Sequence, residues 1–179
     1  DSLGLSQEAG KTSADIIVFC GVHFMAETAS IISPGKTVLI PAQHAGCSLA
    51  ESLTGYELRE WKKANPDGIV VSYVNTTAEV KAWTDICCTS ANALKVVESL
   101  PQDKKILFVP DKNLGAWIQK KTGRQMELWS GDCCVHEKIT TEMILAKSQE
   151  YPEADILIHP ESNCSHDDRI LNLPQAYMY

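Results

Sequence analysis

The motif Ser130-Gly-Asp-Cys-Cys-Val-His136 is the most informative part of the sequence. It lies between a short apolar run at residues 126–129 and a helix-like run that begins at Thr140. Gly131 and Asp132 are turn residues, so the pattern predicts a strand, a tight loop and a helix. A cysteine in such a loop sits among free backbone N–H groups and a positive helix end, which favour the thiolate and hence metal binding or nucleophilic chemistry. The alternative is that the cysteine is simply a small apolar residue.

A second cysteine stands in the same setting. Residues 37–51 read as a strand, a loop of small residues with a glycine, Cys47 and the start of a helix. Residues 22–27 and 74–79 also share a residue order after a buried strand, and together these echoes favour a duplicated α/β unit. Cys47 and Cys133 are 86 residues apart (133 − 47), so a third copy would place its cysteine near position 219. Three equivalent loops meeting at one axis would bring three thiolates together.

Continuous apolar strands alternate with helical patterns along the whole chain. This order predicts an α/β fold with parallel sheets covered on both faces. The predicted strands are residues 16–20, 38–40, 69–74, 86–88, 106–109, 126–129 and 156–158. A helix is predicted after each of the first six, from residues 24–32 to residues 141–150.

Composition and charge narrow the functional classes. The chain has 179 residues, 44% hydrophobic and 22% charged, and a net charge of −7 with scattered lysines and arginines, which argues against nucleic-acid binding. No apolar run approaches a membrane span, no stretch resembles a signal peptide, and the start without methionine suggests a piece of a longer chain.

The seven cysteines form an odd count in a chain without a secretion signal, so reduced thiols or metal ligands are favoured over disulfides. Cys20, Cys87 and Cys88 lie in apolar runs and are interpreted as core. Cys133 and Cys134 are adjacent, so only one of them is expected to face a site.

Polar side chains follow several predicted strands. Strands of α/β sheets present ligand groups at their carboxyl ends. His159-Pro-Glu161 directly follows a strand, and a glutamate beside a histidine in a cleft suits proton transfer, although both side chains could equally lie in a solvated loop. Tyr73 and Asn75 end another strand and could equally be edge packing. Ser90 and Asn92 could cap the helix expected from Ala91 or offer hydroxyl and N–H groups to a carboxylate, and both roles could hold. Ser2 is a plausible helix cap.

These residues resemble the quinolinate synthase family, the iron–sulfur enzymes of bacterial NAD biosynthesis, across essentially the whole chain. The motifs that carry the resemblance are Asp1-Ser-Leu, Phe24-Met-Ala-Glu-Thr28, Ala45-Gly-Cys47, Tyr73-Val-Asn-Thr-Thr-Ala-Glu79, Thr89-Ser-Ala-Asn92, Pro110-Asp-Lys-Asn-Leu114, Cys133-Cys-Val-His136 and His159-Pro-Glu161.

The resemblance implies repeated three-layer αβα domains with small parallel sheets around a pseudo-threefold axis. By this implication residues 1–46 are the remainder of the first domain, 47–132 the second and 133–179 the beginning of an incomplete third. It also implies a [4Fe–4S] cluster on the axis, with Cys47 and Cys133 as two ligands and a third cysteine outside this chain. The family's amino-terminal His-Asn-Tyr stretch and its later Ser/Thr-rich loop are missing from the sequence.

The implied reaction condenses iminoaspartate with dihydroxyacetone phosphate to quinolinate, in the cytoplasm, with L-aspartate oxidase as the supplier of iminoaspartate. One iron without a thiolate would act as a Lewis acid for dehydration. Glu161 would be the general acid/base, with Tyr73 as the second catalytic residue. Ser2, Ser90 and His159 would bind carboxylates, and Tyr73 and Asn75 would orient the intermediate.

One departure and two alternatives stay open. Many family members have a cysteine after His-Pro-Glu, where this chain has Ser162 and then Cys164, which weakens a redox role for that loop. Cys133 could instead be a nucleophile with His136 as its base in a metal-independent enzyme, a reading that leaves the Cys47 loop unexplained. The chain could also be an inert fragment or a module that binds small anions.

Overall fold

A four-stranded parallel sheet lies at the centre of the computed structural model, which describes residues 2–179. Its strands run in the order β4, β3, β5, β6. They are β3 (Ile69–Tyr73), β4 (Ile86–Cys88), β5 (Ile106–Val109) and β6 (Glu127–Leu128).

Both faces of this sheet are buried under helices. Because side chains alternate along a strand, Val71 and Phe108 point to one face while Val70 and Leu107 point to the other, and all four are at most 1% exposed. The first face packs against α5 (Ala93–Glu98) and α6 (Lys112–Thr122), and the second against α3 (Gly55–Ala64) and α4 (Ala78–Lys81). Each of these side chains contributes about 1.5–3 kcal/mol by leaving water, which holds the central unit together.

Two smaller parallel sheets flank it in the sequence. The first pairs β1 (Ile16–Val18) with β2 (Thr37–Leu39), and the second pairs β7 (Ile156–Ile158) with β8 (Ala176–Met178). The helices that accompany them are α1 (Ser2–Gly10), α2 (His23–Ile32), α7 (Thr141–Glu150) and α8 (Asp168–Leu171). The predicted α/β fold, with alternating helices and small parallel sheets, is confirmed; β8 was not predicted.

The prediction that every sheet is buried on both faces is wrong for the two small sheets. Ile17 is 9% exposed, whereas Ile16 and Val18 beside it are each 59% exposed. In β7, Ile158 is 4% exposed and Leu157 is 67% exposed. The described residues thus cover only one face of each small sheet.

The interpretation of three cysteines as core is also wrong for two of them. Cys20 and Cys87 are exposed, and only Cys88 is buried. Cys20 lies two residues beyond β1, in phase with its uncovered face, and Cys87 alternates with Cys88 on the edge strand β4.

The helix predicted at residues 141–150, after the Cys133 loop, is α7 (Thr141–Glu150), whereas the helix predicted to start at the Cys47 loop begins later. Turns follow Cys47, and α3 begins only at Gly55, where Thr54 and Glu57 form a capping box. A short 3₁₀ helix (His136–Lys138) follows Cys133, ahead of α7. Neither cysteine therefore lies at the first turn of an α-helix. Across residues 2–179, no helix combines the length and apolarity that a membrane crossing requires.

Candidate active site

A cavity of about 630 Å³ opens at the carboxyl ends of β3, β4 and β7. Parallel strands bring their following loops to the same edge of a sheet, so residues far apart in sequence meet there. All six predicted substrate-binding residues line this cavity: Ser2, Tyr73, Asn75, Ser90, His159 and Glu161.

The loop after β3 is held by its own backbone and by a buried lysine. Val74 donates its N–H to the Cys88 carbonyl at 2.8 Å, and the Thr76 hydroxyl donates to the Tyr73 carbonyl at 3.1 Å. Lys81 donates its ammonium to the carbonyls of Val74 and Thr76, and burial lowers the pKa of Lys81 to about 8. This bonding fixes Tyr73 and Asn75 at the cavity wall.

The loop after β4 is closed by an asparagine rather than by Ser90. Asn92 Oδ1 accepts the Thr89 N–H at 2.7 Å, and the Ala93 N–H donates to the Thr89 carbonyl at 2.9 Å. The helix begins at Ala93 with Asn92 as its N-cap residue, so of the two predicted caps Asn92 holds that position, while the predicted start at Ala91 and the capping role of Ser90 are wrong. Ser90 lines the cavity instead.

Glu161 is the buried acid of the cavity, at 4% exposure. Its backbone carbonyl accepts from the Asn113 side chain at 3.1 Å, and the Ser162 N–H donates to the His159 carbonyl at 2.9 Å. Asn113, itself 1% exposed on α6, also donates to Glu137 Oε2 at 3.0 Å. The Glu161 loop is therefore anchored to the central unit through Asn113.

His136 joins this site, although its sequence position suggested only a link to Cys133. His136 Nδ1 lies 3.1 Å from Glu161 Oε2, and His159 Nδ1 lies 3.3 Å from the same oxygen. The two imidazole rings stack with centroids 5.2 Å apart. The contact with Glu161 could not be read from the sequence, because 25 residues separate the two side chains (161 − 136).

Burial sets the protonation of these groups. It raises the pKa of Glu161 to about 7, against a smaller opposing effect of the Tyr73 hydroxyl, which donates to the carboxylate. Burial lowers the pKa values of His136 and His159. At neutral pH the site thus holds neutral imidazoles beside a carboxyl that can give or take a proton.

Tyr73 and Asp111 complete the acidic surroundings. Burial, and then the negative charge of Glu161, raise the pKa of the Tyr73 hydroxyl, so it remains a neutral donor. Asp111 is fully buried at the start of α6, and burial raises its pKa to about 7 although its Oδ1 accepts the Leu114 N–H at 2.7 Å. Asp111 was not selected from the sequence; its place in the Pro110–Leu114 motif was the available signal.

The two cysteine loops touch each other. Trp129 donates its indole N–H to the Ser52 carbonyl at 2.9 Å, and a Cβ on Gly131 would meet the Ser52 hydroxyl and the Pro110 carbonyl. Cys47 and Cys133 are free thiols of intermediate burial, and both pack against the core cluster that contains Tyr73. Tertiary packing thus brings together loops that are 86 residues apart (133 − 47).

The remaining cysteines in these regions differ from this pair. Cys134 is exposed, whereas its neighbour Cys133 is partly buried. Cys164 is fully buried with Ile158 and Ile170, so it belongs to the core below the β7–β8 sheet.

An α/β fold with a buried acid and two imidazoles at the carboxyl ends of parallel strands is typical of enzymes. Comparison with known proteins is more specific. The family model described as "NadA: Quinolinate synthetase A protein" matches residues 1–173. The chain therefore belongs to the quinolinate synthase family.

Curated relatives agree. A quinolinate synthase of Pyrobaculum aerophilum is 56% identical over 164 residues, which is 92% of this chain and 53% of the relative. One of Synechocystis is 55% identical over 161 residues, 90% of this chain and 51% of the relative. One of Thermus thermophilus is 57% identical over 164 residues, 92% of this chain and 53% of the relative. The chain spans about half the length of the relatives it matches.

Proposed function

We propose that this chain carries a substantial part of a quinolinate synthase active site, which condenses iminoaspartate with dihydroxyacetone phosphate to quinolinate in NAD biosynthesis. The observation that carries the proposal is the convergence of six family-motif residues, from Ser2 to Glu161, on one cavity. The proposed setting is cytoplasmic, with L-aspartate oxidase as the source of iminoaspartate.

Cys47 and Cys133 fit the family's iron–sulfur cluster. Thiolates are the ligands that such clusters take, and here two free, partly buried thiols lie on loops in direct contact. In the proposed arrangement they are two of three ligands, and the third cysteine comes from outside this chain. When bound, a cluster with three thiolates keeps one iron open and supplies Lewis acidity for the loss of water.

Glu161 is the proposed general acid and base. With a pKa near 7 it is about half protonated at neutral pH, so it can donate a proton to a departing hydroxyl and then take one back. Tyr73 stays neutral beside it and orients an oxygen of the intermediate, together with the Asn75 amide. Burial of the Glu161 carboxyl keeps bulk water from competing for its proton.

The substrate carboxylates are proposed to bind at Ser2, Ser90 and His159. Ser2, the first residue of α1, and Ser90 offer hydroxyl groups to the cavity, and His159 lines the same cavity. Neutral donors suit this task in an acidic protein, because they bind anions without adding buried charge that must be paired.

We further propose the domain order 1–46, 47–132 and 133–179 around a pseudo-threefold axis. Three separate parallel sheets support it: β1–β2, the four strands from β3 to β6, and β7–β8 each fall within one of these ranges. The contact between the Cys47 and Cys133 loops supports a common axis at which they meet.

The test is a chimera in which this chain replaces the matching half of the Thermus thermophilus relative. After anaerobic cluster reconstitution, it should form quinolinate from iminoaspartate and dihydroxyacetone phosphate. Glu161→Gln should lower kcat by about 10²–10⁴-fold with normal iron content, because general acid–base catalysis is lost. Glu153→Gln, at an exposed glutamate, is the control. A folded, iron-loaded chimera without activity would contradict the proposal, and an iron-free active one would favour the cysteine-nucleophile enzyme.

A further inference from the structure

Three potential metal ligands converge at the floor of the cavity. One donor atom each from His136, His159 and Glu161 lies within 4.8 Å of the other two. Both imidazole Nδ1 atoms approach the same carboxylate oxygen, at 3.1 and 3.3 Å. Two histidines and one carboxylate are a ligand set that binds zinc and related divalent transition metals.

Hydrogen bonds account for only part of this convergence: His159 Nδ1 accepts the Glu161 N–H in a long hydrogen bond of 3.4 Å. His136 Nδ1 and Glu161 Oε1 are both buried and have no hydrogen-bond partner among the described residues, although His136 Nδ1 is close to the other carboxylate oxygen. Buried polar atoms are nearly always paired, and Glu161 is 4% exposed. His136 Nδ1 and Glu161 Oε1 are thus available as ligand atoms, and His159 Nδ1 would exchange its long hydrogen bond for a metal.

The spacing fits a tetrahedral ion. Zinc binds imidazole nitrogen at about 2.0–2.1 Å and carboxylate oxygen at about 2.0–2.2 Å, so its ligand atoms lie about 3.3 Å apart. The two nitrogen-to-oxygen distances already match this value. Two imidazoles on one such ion have ring centres about 5 Å apart, and the rings here are 5.2 Å apart.

We propose that His136, His159 and Glu161 form a reversible binding site for a divalent transition cation of the zinc class, distinct from the thiol site, with its open coordination position toward the cavity. His159 and Glu161 both line the cavity, so a fourth ligand would come from water or substrate there. The consequence rests on the proposed function: a bound cation occupies the Glu161 carboxylate and blocks proton transfer, so the cation inhibits the enzyme.

Binding is tested first on this chain with Co²⁺, which takes zinc sites and shows visible d–d bands. The Cys47→Ser/Cys133→Ser double variant removes the two partly buried thiols that could compete, and it should keep a d–d spectrum without thiolate charge-transfer bands. In that background His136→Ala should weaken Co²⁺ binding by about tenfold or more. His44→Ala, at an exposed histidine away from the cavity, should leave binding unchanged.

A second measurement needs no substitution. Zn²⁺ titrated into the unaltered chain should shift the imidazole ring-nitrogen NMR signals of His136 and His159, and not those of His23 or His44. Unchanged Co²⁺ affinity in His136→Ala, or zinc shifts confined to other histidines, would overturn the site. These readouts do not depend on turnover. In the chimera, Zn²⁺ should inhibit quinolinate formation and a chelator should restore it. An enzyme that binds Zn²⁺ at these histidines without inhibition would refute the proposed inhibition but not the binding site.

Discussion

Replacing Glu161 by glutamine should make the protein's stability less dependent on pH. The carboxyl is buried, and its pKa in the folded protein rises from the ordinary value of 4.5 to about 7. The folded state therefore binds the proton more tightly than the unfolded state. Below pH 4.5 the carboxyl is protonated in both states, so it does not reduce the free energy of unfolding. That free energy falls as the pH rises from 4.5 to about 7, because the unfolded state loses its proton first.

The size of the effect follows from that shift. One pKa unit corresponds to about 1.4 kcal/mol, so a shift from 4.5 to about 7 costs roughly 3 kcal/mol of folding free energy at pH 8 relative to pH 4. Glutamine does not ionise and escapes this cost. The free-energy difference between Glu161→Gln and the unaltered chain should therefore move by roughly 3 kcal/mol in favour of the variant between pH 4 and pH 8.

Urea unfolding at a series of pH values, followed by tryptophan fluorescence, measures this difference. The sign matters more than the absolute stability, because glutamine also alters contacts with His136 and His159 at every pH. Glu153→Gln, at an exposed position, should show no comparable trend. The argument that the folded protein raises the proton affinity of Glu161 would be refuted if the difference in unfolding free energy did not change with pH. It would also be refuted if the variant became less stable than the unaltered chain as the pH rises.

Three further predictions concern the loops and the acid–base step. Asn113→Ala should destabilise the chain by about 1–3 kcal/mol, because it leaves the buried Glu161 carbonyl without a donor and removes the donor to Glu137 Oε2. Exposed Asn172→Ala should not. Urea unfolding measures both, and equal effects would contradict the anchoring role. Gly131→Ala should destabilise the chain by about 1–3 kcal/mol in the same assay and lower the iron content of the reconstituted chimera, because its Cβ meets Ser52 and the Pro110 carbonyl. Gly35→Ala, with open space around it, is the control. A normal iron content in Gly131→Ala would contradict the idea that this contact positions Cys133. In the chimera, kcat should fall above pH 7 because Glu161 loses the proton that it donates. If the residual activity of Glu161→Gln still falls above pH 7, the pKa that controls kcat belongs to another group.

Much of the fold follows from local pattern. Apolar runs of strand length separated by helical periodicity predicted the alternating elements and the parallel sheets, because these signals lie within a few neighbouring residues. The polar residues after strands, from Tyr73 to Glu161, could also be selected, since parallel strands carry their following loops to one edge. Short elements were harder: β8 and the 3₁₀ helix after Cys133 have too few residues for a clear period.

The local sequence pattern gave wrong predictions of which side chains are exposed. Ile16, Val18 and Cys20 read as one buried strand, yet they share a face that none of the described residues covers. A strand of apolar residues has the same sequence whether one face or two are packed, so burial is decided by what lies against it. The same reason explains Cys87, which lies on an edge strand beside the buried Cys88.

By itself the sequence determined the alternation of elements, the paired cysteine loops and the polar residues that end the strands, because each depends on neighbours along the chain. Only the tertiary structure decided that His136 meets Glu161, that Asn113 ties the Glu161 loop to α6, and that Trp129 joins the two cysteine loops. Those contacts join residues 25 to 77 positions apart. Their energies depend on burial and on distances of about 3 Å, which no local pattern contains.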